Sequence, residues 1–240
     1  MSTLAPELPA ERPESFGDDL AGMGSFFIDP NGAARHVFKK WFWVGPLIVV
    51  SVVSLIGGYL TLPIVQHVLE VTPPPPNVTP EQYQKGVDIG MMVQRILMYC
   101  APVVAGVIYA IEALILLGMS AAMSVTTKFR WLFNLVAGCA LISLLARIAT
   151  VVILKAKGEV STTAELQPPL GLDIFMPEGA NKIATGFLGY FSVFEIWWIV
   201  MMVLIFSTAF RTSKGKAFMA VLPLILLSIL FRVVGAAFQK

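Results

Sequence analysis

Apolar residues fill five long stretches of the chain, and mostly polar segments separate them. An α-helix rises about 1.5 Å per residue, so about 20 residues cross the ~30 Å hydrocarbon core of a bilayer. Each apolar stretch reaches that length. The pattern predicts an all-α, polytopic membrane protein with about five transmembrane helices, at residues 42–65, 96–119, 131–154, 187–209 and 217–238.

Two long polar loops, residues 66–95 and 155–186, connect the predicted spans on one side of the membrane. In the first loop, Thr79 followed by Pro80 is typical of a helix N-cap with proline at the first helical position. The connections on the opposite side are short, and they hold their Lys and Arg residues close to the membrane. By the positive-inside rule, this charge density favours a cytoplasmic N-terminus and an external C-terminus.

The N-terminal part of the chain divides into two predicted segments ahead of the transmembrane domain at 42–240. Residues 1–25 are rich in proline and acidic side chains, which predicts a disordered cytoplasmic tail. In residues 26–41, apolar side chains recur at helical spacing after an N-cap at Asp29 and a proline at Pro30. Basic side chains occupy the other face, so the segment is predicted to be an amphipathic helix in the headgroup region.

Composition narrows the classes of function further. Only 13% of the residues are charged and 57% are hydrophobic, and the mean hydropathy is +0.78. Soluble domains carry about 25% charged residues. The spans leave no room for a large soluble catalytic domain. The formal net charge of +2 is not gathered into a basic patch, so the lipid bilayer is the expected partner and nucleic acid is not.

Ionisable residues inside the predicted spans are candidates for function, because each is costly to hold in hydrocarbon. Counted along the helices, Arg147, Glu195 and Arg232 each lie about 10 Å from the external ends of their spans. They are predicted to form one intramembrane polar network, with the carboxylate between two guanidinium groups. Ser143 precedes Arg147 by four residues and so shares its helix face.

Two interpretations of this network stay open at the level of sequence. It is either a structural clamp with snorkelling arginines, or a polar cavity that binds an anionic headgroup or substrate. Glu112 is predicted to be isolated, about 10 Å from the inner surface. Its carboxyl group is expected to be protonated, to approach Lys128 or Arg130, or to contact a partner subunit.

No residues combine into a catalytic, metal or cofactor site. Cys100 and Cys139 lie in apolar segments, where thiols usually pack as small hydrophobic groups. His36 and His67 flank the first span on opposite sides and cannot share a metal. No serine–histidine–acid set, carboxylate pair or phosphate-binding glycine loop can be assembled, so an enzyme and a cofactor are not expected.

Three short segments resemble the Yip family of five-span membrane proteins, first named for interacting with Ypt and Rab GTPases. They are Phe27–Pro30 followed by Ala33-Ala34, the aromatic segment Phe191–Trp198, and the basic turn Ser213–Ala217 before the last span. The chain is most similar to the prokaryotic-like branch. It lacks the Asp-Leu-Tyr-Gly-Pro motif of eukaryotic members, so Rab-type GTPase binding is not expected. The resemblance implies a cytoplasmic N-terminus, an external C-terminus and a place in a prokaryotic cytoplasmic membrane.

The leading prediction is a non-enzymatic membrane protein that assembles with other membrane proteins, associates with itself, or organises membranes. The alternative is a transporter or channel for a small molecule or lipid, using polar residues in spans three to five.

Overall fold

The computed structural model describes residues 16–73, 77–162, 164–177 and 180–238. These residues form nine α-helices, two short 3-10 turns and a single β-bridge between Gly171 and Ser192. The helices are α1 (Phe16–Ile28), α2 (Pro30–His36), α3 (Val44–Val71), α4 (Pro80–Tyr99), α5 (Ala101–Ala122), α6 (Phe129–Lys157), α7 (Lys182–Tyr190), α8 (Val193–Ala209) and α9 (Lys214–Phe238). The 3-10 turns are Ala164–Leu166 and Leu172–Phe175.

Four of the described helices, α3, α5, α6 and α9, are long and apolar enough to cross a membrane. The bundle buries only part of the apolar side chains of these helices, and many remain exposed on its outer surface. A soluble fold would not leave such a surface open to water. The chain is therefore an all-helical integral membrane protein. Helix α8 is also apolar but has only 17 residues.

Helix α6 is the centre of the bundle and packs against α3, α5, α8 and the two N-terminal helices. Leu132, Leu135 and Ile142 of α6 are fully buried, and they belong to one core cluster with Met202 and Phe206 of α8. Helix α9 packs against both α7 and α8. The core thus lies along α6 and α8.

The N-terminal helices differ from their prediction. Residues 16–25, predicted as part of a disordered tail, lie in α1, whereas residues 1–15 are outside the described part of the chain. Phe26 and Val37 are fully buried against the bundle, so α1 and α2 bind protein on the face that was expected to bind lipid headgroups. The reason is that the Phe26 ring of α1 lies against Gly138 of α6, while α2 packs mainly against α8.

Two predicted helix starts are confirmed by their capping hydrogen bonds. At α2, Asp29 Oδ1 accepts from the backbone N–H of Asn31 at 3.1 Å. At α4, Thr79 Oγ1 accepts from the N–H of Gln82 at 3.3 Å, and the Gln82 side chain accepts from the N–H of Thr79. This reciprocal pair is a capping box. Helix α4 therefore occupies much of the predicted loop 66–95.

The segment predicted as one span at 187–209 is two helices. Helix α7 ends at Tyr190 and α8 begins at Val193, with Phe191 and Ser192 between them. Ser192 Oγ accepts from the N–H of Glu195 at 3.1 Å and caps the new helix. The backbone of Ser192 also pairs with Gly171, so the preceding loop folds back onto the break. This break places Glu195 in the first turn of α8.

Candidate functional site

A cavity of about 780 Å³ lies among α3, α5, α6 and α8, and residues of α4 and α9 complete its wall. Most of its wall is apolar, but polar side chains reach it from every one of these helices. Its volume falls in the range of about 300–1,000 Å³ that is typical of small-molecule sites. The polar and charged residues in the wall include Ser54, Thr61, Tyr109, Glu112, Ser143, Arg147, Thr150 and Glu195.

Arg147 faces this cavity together with Ser143, one helical turn away on α6. The Arg147 guanidinium donates a hydrogen bond to Ser54 Oγ of α3 at 2.6 Å. Among the described residues, no ion pair joins Arg147 to Glu195. The predicted network around Arg147 is therefore replaced by a hydroxyl contact to the first span.

Arg232 binds at the break between α7 and α8. Its guanidinium donates a hydrogen bond to the backbone carbonyl of Gly189 in the last turn of α7. Carbonyl groups in a last turn lack helical donors, so the arginine satisfies a group that the break exposes. A side chain at Gly189 would crowd Asp173, since its Cβ would lie 3.0 Å from Asp173 Oδ2, and it would only touch Arg232 Nη1, at 3.6 Å.

Glu195 and Arg232 are near enough for their charges to interact. Among the described residues, however, no direct ion pair joins Glu195 to Arg232. The hydrogen bond of Arg232 goes to Gly189 instead. The predicted clamp of one carboxylate between two arginines is thus not formed, and the guanidinium groups bind at two separate places.

Glu112, which is predicted to be an isolated carboxylate, shares a cavity with a second carboxyl group. It lies in the wall of the same cavity as Glu195, and the two carboxyl groups interact electrostatically. The depth counted for Glu112 changes because α5 runs from Ala101 to Ala122 and not over 96–119, so Glu112 lies near the middle of its helix. Neither side chain makes a hydrogen bond or an ion pair with the residues that the structure describes.

Sequence reasoning missed Asn134, a fully buried amide in α6. Its Nδ2 donates to the carbonyl groups of Val37 at 2.9 Å and Lys39 at 2.7 Å. Its Oδ1 accepts from the N–H of Trp43 at 3.1 Å. The signal that could have found it is a lone amide in an apolar span, where a polar group needs partners. Asn134 holds the turn between α2 and α3 on α6, away from the cavity wall.

The remaining residues with possible chemistry lie apart from one another. Cys139 is buried and Cys100 is exposed. Within the described ranges, no three His, Cys, Asp or Glu residues come together as metal ligands. Comparisons of the chain with protein-family models, with curated proteins and with solved structures found no match.

Proposed function

We propose that this chain is a five-span membrane protein that binds a small molecule or lipid in the cavity among α3, α5, α6 and α8. The observation that carries the proposal is this cavity, with charged side chains inside an otherwise apolar bundle. Charged groups are costly at membrane depth and are retained mainly where they bind ions or substrates or relay protons. A transporter, channel or lipid-moving protein needs such a site.

The break between α7 and α8 supports the same proposal. Irregular backbone at membrane depth is tolerated where protein buries it or where it lines a cavity. In secondary transporters, discontinuous helices of this kind form the substrate site. In the proposed arrangement α8 is the fifth span, since 17 residues give about 25 Å, and α7 extends it on the external side.

Labelling of an introduced cysteine tests whether the cavity admits water. In a background carrying Cys100→Ser and Cys139→Ala, we expect Ser143→Cys to react with a membrane-impermeant thiol reagent, because Ser143 is exposed in the cavity wall. Ser120→Cys is the matched negative control, since Ser120 is fully buried in α5. Ser161→Cys in the exposed loop is the positive control. A protein that labels at position 161 and stays unreactive at 143 contradicts the proposal.

A second candidate is the non-enzymatic assembly function implied by the Yip resemblance. A specific observation favours it: two of the segments that carry the resemblance contact each other. Trp197 Nε1 donates to the carbonyl group of Phe27 at 2.8 Å, and the two rings lie 6.0 Å apart. In this proposal the protein is a prokaryotic-like member of that family, in a cytoplasmic membrane, and it associates with itself or with other membrane proteins.

Purification in mild detergent at native abundance tests this second candidate. Co-purifying membrane proteins, or a self-associated species, are expected, whereas a chain that emerges alone contradicts it. Reporter fusions to each terminus test the orientation. A C-terminal fusion that is active in the cytoplasm would overturn the proposed topology.

A further inference from the structure

We propose that the cavity binds an ammonium group carried on an apolar chain, and that Glu112 and Glu195 hold the ammonium group between them. This inference rests on the proposed binding function and names the chemical class of its ligand. The cavity wall contributes two carboxyl groups and one guanidinium group. Its charge therefore favours a cation over an anion.

Neither carboxyl group has a hydrogen-bond or ion-pair partner among the described residues, and a bound ligand could supply one. They come from different helices, α5 and α8, and interact electrostatically across the same cavity. The described part of the chain offers neither of them a hydrogen bond or an ion pair. A carboxylate in a mostly apolar wall is stabilised by a positively charged partner. An ammonium group between them would provide hydrogen-bond donors to both carboxylates at once.

The guanidinium group in the wall does not reverse this preference. Arg147 already donates to Ser54 Oγ at 2.6 Å, and an anion that approached it would meet two carboxylates for one cation. The charge of Arg232 is directed at the Gly189 carbonyl, outside the cavity wall. The cavity wall itself therefore holds one more acidic than basic group, and Arg232 interacts with Glu195 from outside the wall.

The aromatic and apolar residues of the cavity wall suit a ligand that carries its ammonium group on an apolar chain. The aromatic residues Tyr109 and Trp198 line the cavity, and aromatic rings attract cations through their faces. Val104 and Leu144 are among the apolar residues that complete the wall. A volume of about 780 Å³ accommodates an eight-carbon chain with its headgroup.

Binding of two probes that differ only in headgroup charge tests the inference. The full chain is placed in phosphatidylglycerol nanodiscs, and n-octylamine or octanoate is titrated by calorimetry, with empty nanodiscs as the blank. We expect n-octylamine to bind about tenfold or more tightly than octanoate, because its ammonium group donates charge-assisted hydrogen bonds to the two carboxyl groups, whereas the octanoate carboxylate is repelled by them. Glu112→Gln and Glu195→Gln should each weaken n-octylamine binding by about tenfold. Glu159→Gln, in an exposed loop, should leave it unchanged.

Each outcome separates the ligand class from the binding function itself. Equal or tighter binding of octanoate overturns the ammonium proposal and leaves the cavity proposal standing. If neither probe binds, the ammonium proposal fails, and the cavity proposal fails with it only when Ser143→Cys is also unreactive. Size-exclusion profiles of the two glutamine variants show whether they fold, and their comparison with Glu159→Gln in the same nanodiscs separates binding in the cavity from attraction of n-octylamine to the anionic lipid.

The same headgroup chemistry occurs in soluble amines and in aminophospholipids of the bilayer. Adding phosphatidylethanolamine to the nanodiscs distinguishes these sources. Binding of n-octylamine that persists identifies a soluble amine as the ligand class, whereas competition by the lipid identifies an aminophospholipid. Both results support an ammonium site.

Discussion

The two halves of α6 differ in how many of their residues are buried. From Leu132 to Ile142 nearly every residue is buried, and Asn134 and Gly138 meet the N-terminal helices there. From Ser143 onward only Leu144 and Leu154 are buried, and the helix faces the cavity. The bundle therefore packs closely around the first half of α6 and leaves open volume beside the second half.

The largest expected effect lies in the closely packed half. Phe26 is fully buried, stacks on Phe42 at 5.2 Å between ring centroids, and lies against Gly138. Phe26→Ala should lower the free energy of unfolding by about 3–5 kcal/mol, because it removes a buried ring and leaves a cavity. Thermal unfolding in detergent measures it. Ile28→Ala is the matched control, since Ile28 is 82% exposed. Equal stability of the two variants would show that α1 is not part of the core.

The second-largest effect is expected for Asn134, the buried amide in the same half of α6. Asn134→Leu removes three hydrogen bonds and leaves the N–H of Trp43 and the carbonyl groups of Val37 and Lys39 without that partner. Buried groups left unpaired cost about 1–3 kcal/mol each to keep. We expect lower thermal stability and faster hydrogen exchange at the Trp43 amide. Unchanged exchange there would contradict the role assigned to Asn134.

A smaller effect is expected in the cavity half. Ser54→Ala removes the hydrogen bond that Arg147 donates, but the Arg147 side chain is exposed in the cavity. The loss of stability should be below about 1 kcal/mol, as for an accessible hydrogen bond. The same thermal measurement compares it with Asn134→Leu. A loss from Ser54→Ala that equals or exceeds the loss from Asn134→Leu would refute the contrast between the two halves.

The smallest effect is expected at Glu165, in the loop that follows the C-terminal end of α6. The N–H of Ser161 donates to Glu165, and Lys157 lies 3.3 Å from the same carboxylate, so the pKa of Glu165 is lowered. A carboxyl group with a lowered folded pKa stabilises the loop above its unfolded pKa of about 4.3, and that contribution is lost as the pH falls through the lowered value. Hydrogen exchange at the Ser161 amide, corrected for its intrinsic pH dependence, should show less protection as the pH falls below about 4. Glu165→Gln should remove this pH dependence, and protection that still varied with pH in that variant would contradict the assignment.

Sequence reasoning succeeded where one local pattern decides the structure. Long apolar runs predicted the membrane helices, and the caps at Asp29 and Thr79 predicted two helix starts. It failed where the answer depended on tertiary partners. The apolar face of residues 26–41 could have bound lipid or protein, and only its packing against α6 and α8 decides between them.

The charged residues illustrate the same limit. Counting depth from the predicted span ends separated Glu112 from Glu195, whereas α5 begins only at Ala101 and both carboxyl groups line one cavity. A local signal for the break was present, because Ser192 followed by Glu195 fits the start of a helix. No comparable signal exists for the bond between Arg232 and Gly189, which joins residues far apart in the chain.

The contact of Arg232 with Gly189 has a consequence for the order of biosynthesis. Helix α7 leaves the ribosome well before the arginine that caps its last turn, and α9 is its principal packing partner. Until α9 is inserted, the end of α7 and the break beside it lack this packing and this hydrogen bond. A nascent chain arrested before residue 232 would therefore leave the Gly189 carbonyl group without the guanidinium donor that α9 supplies.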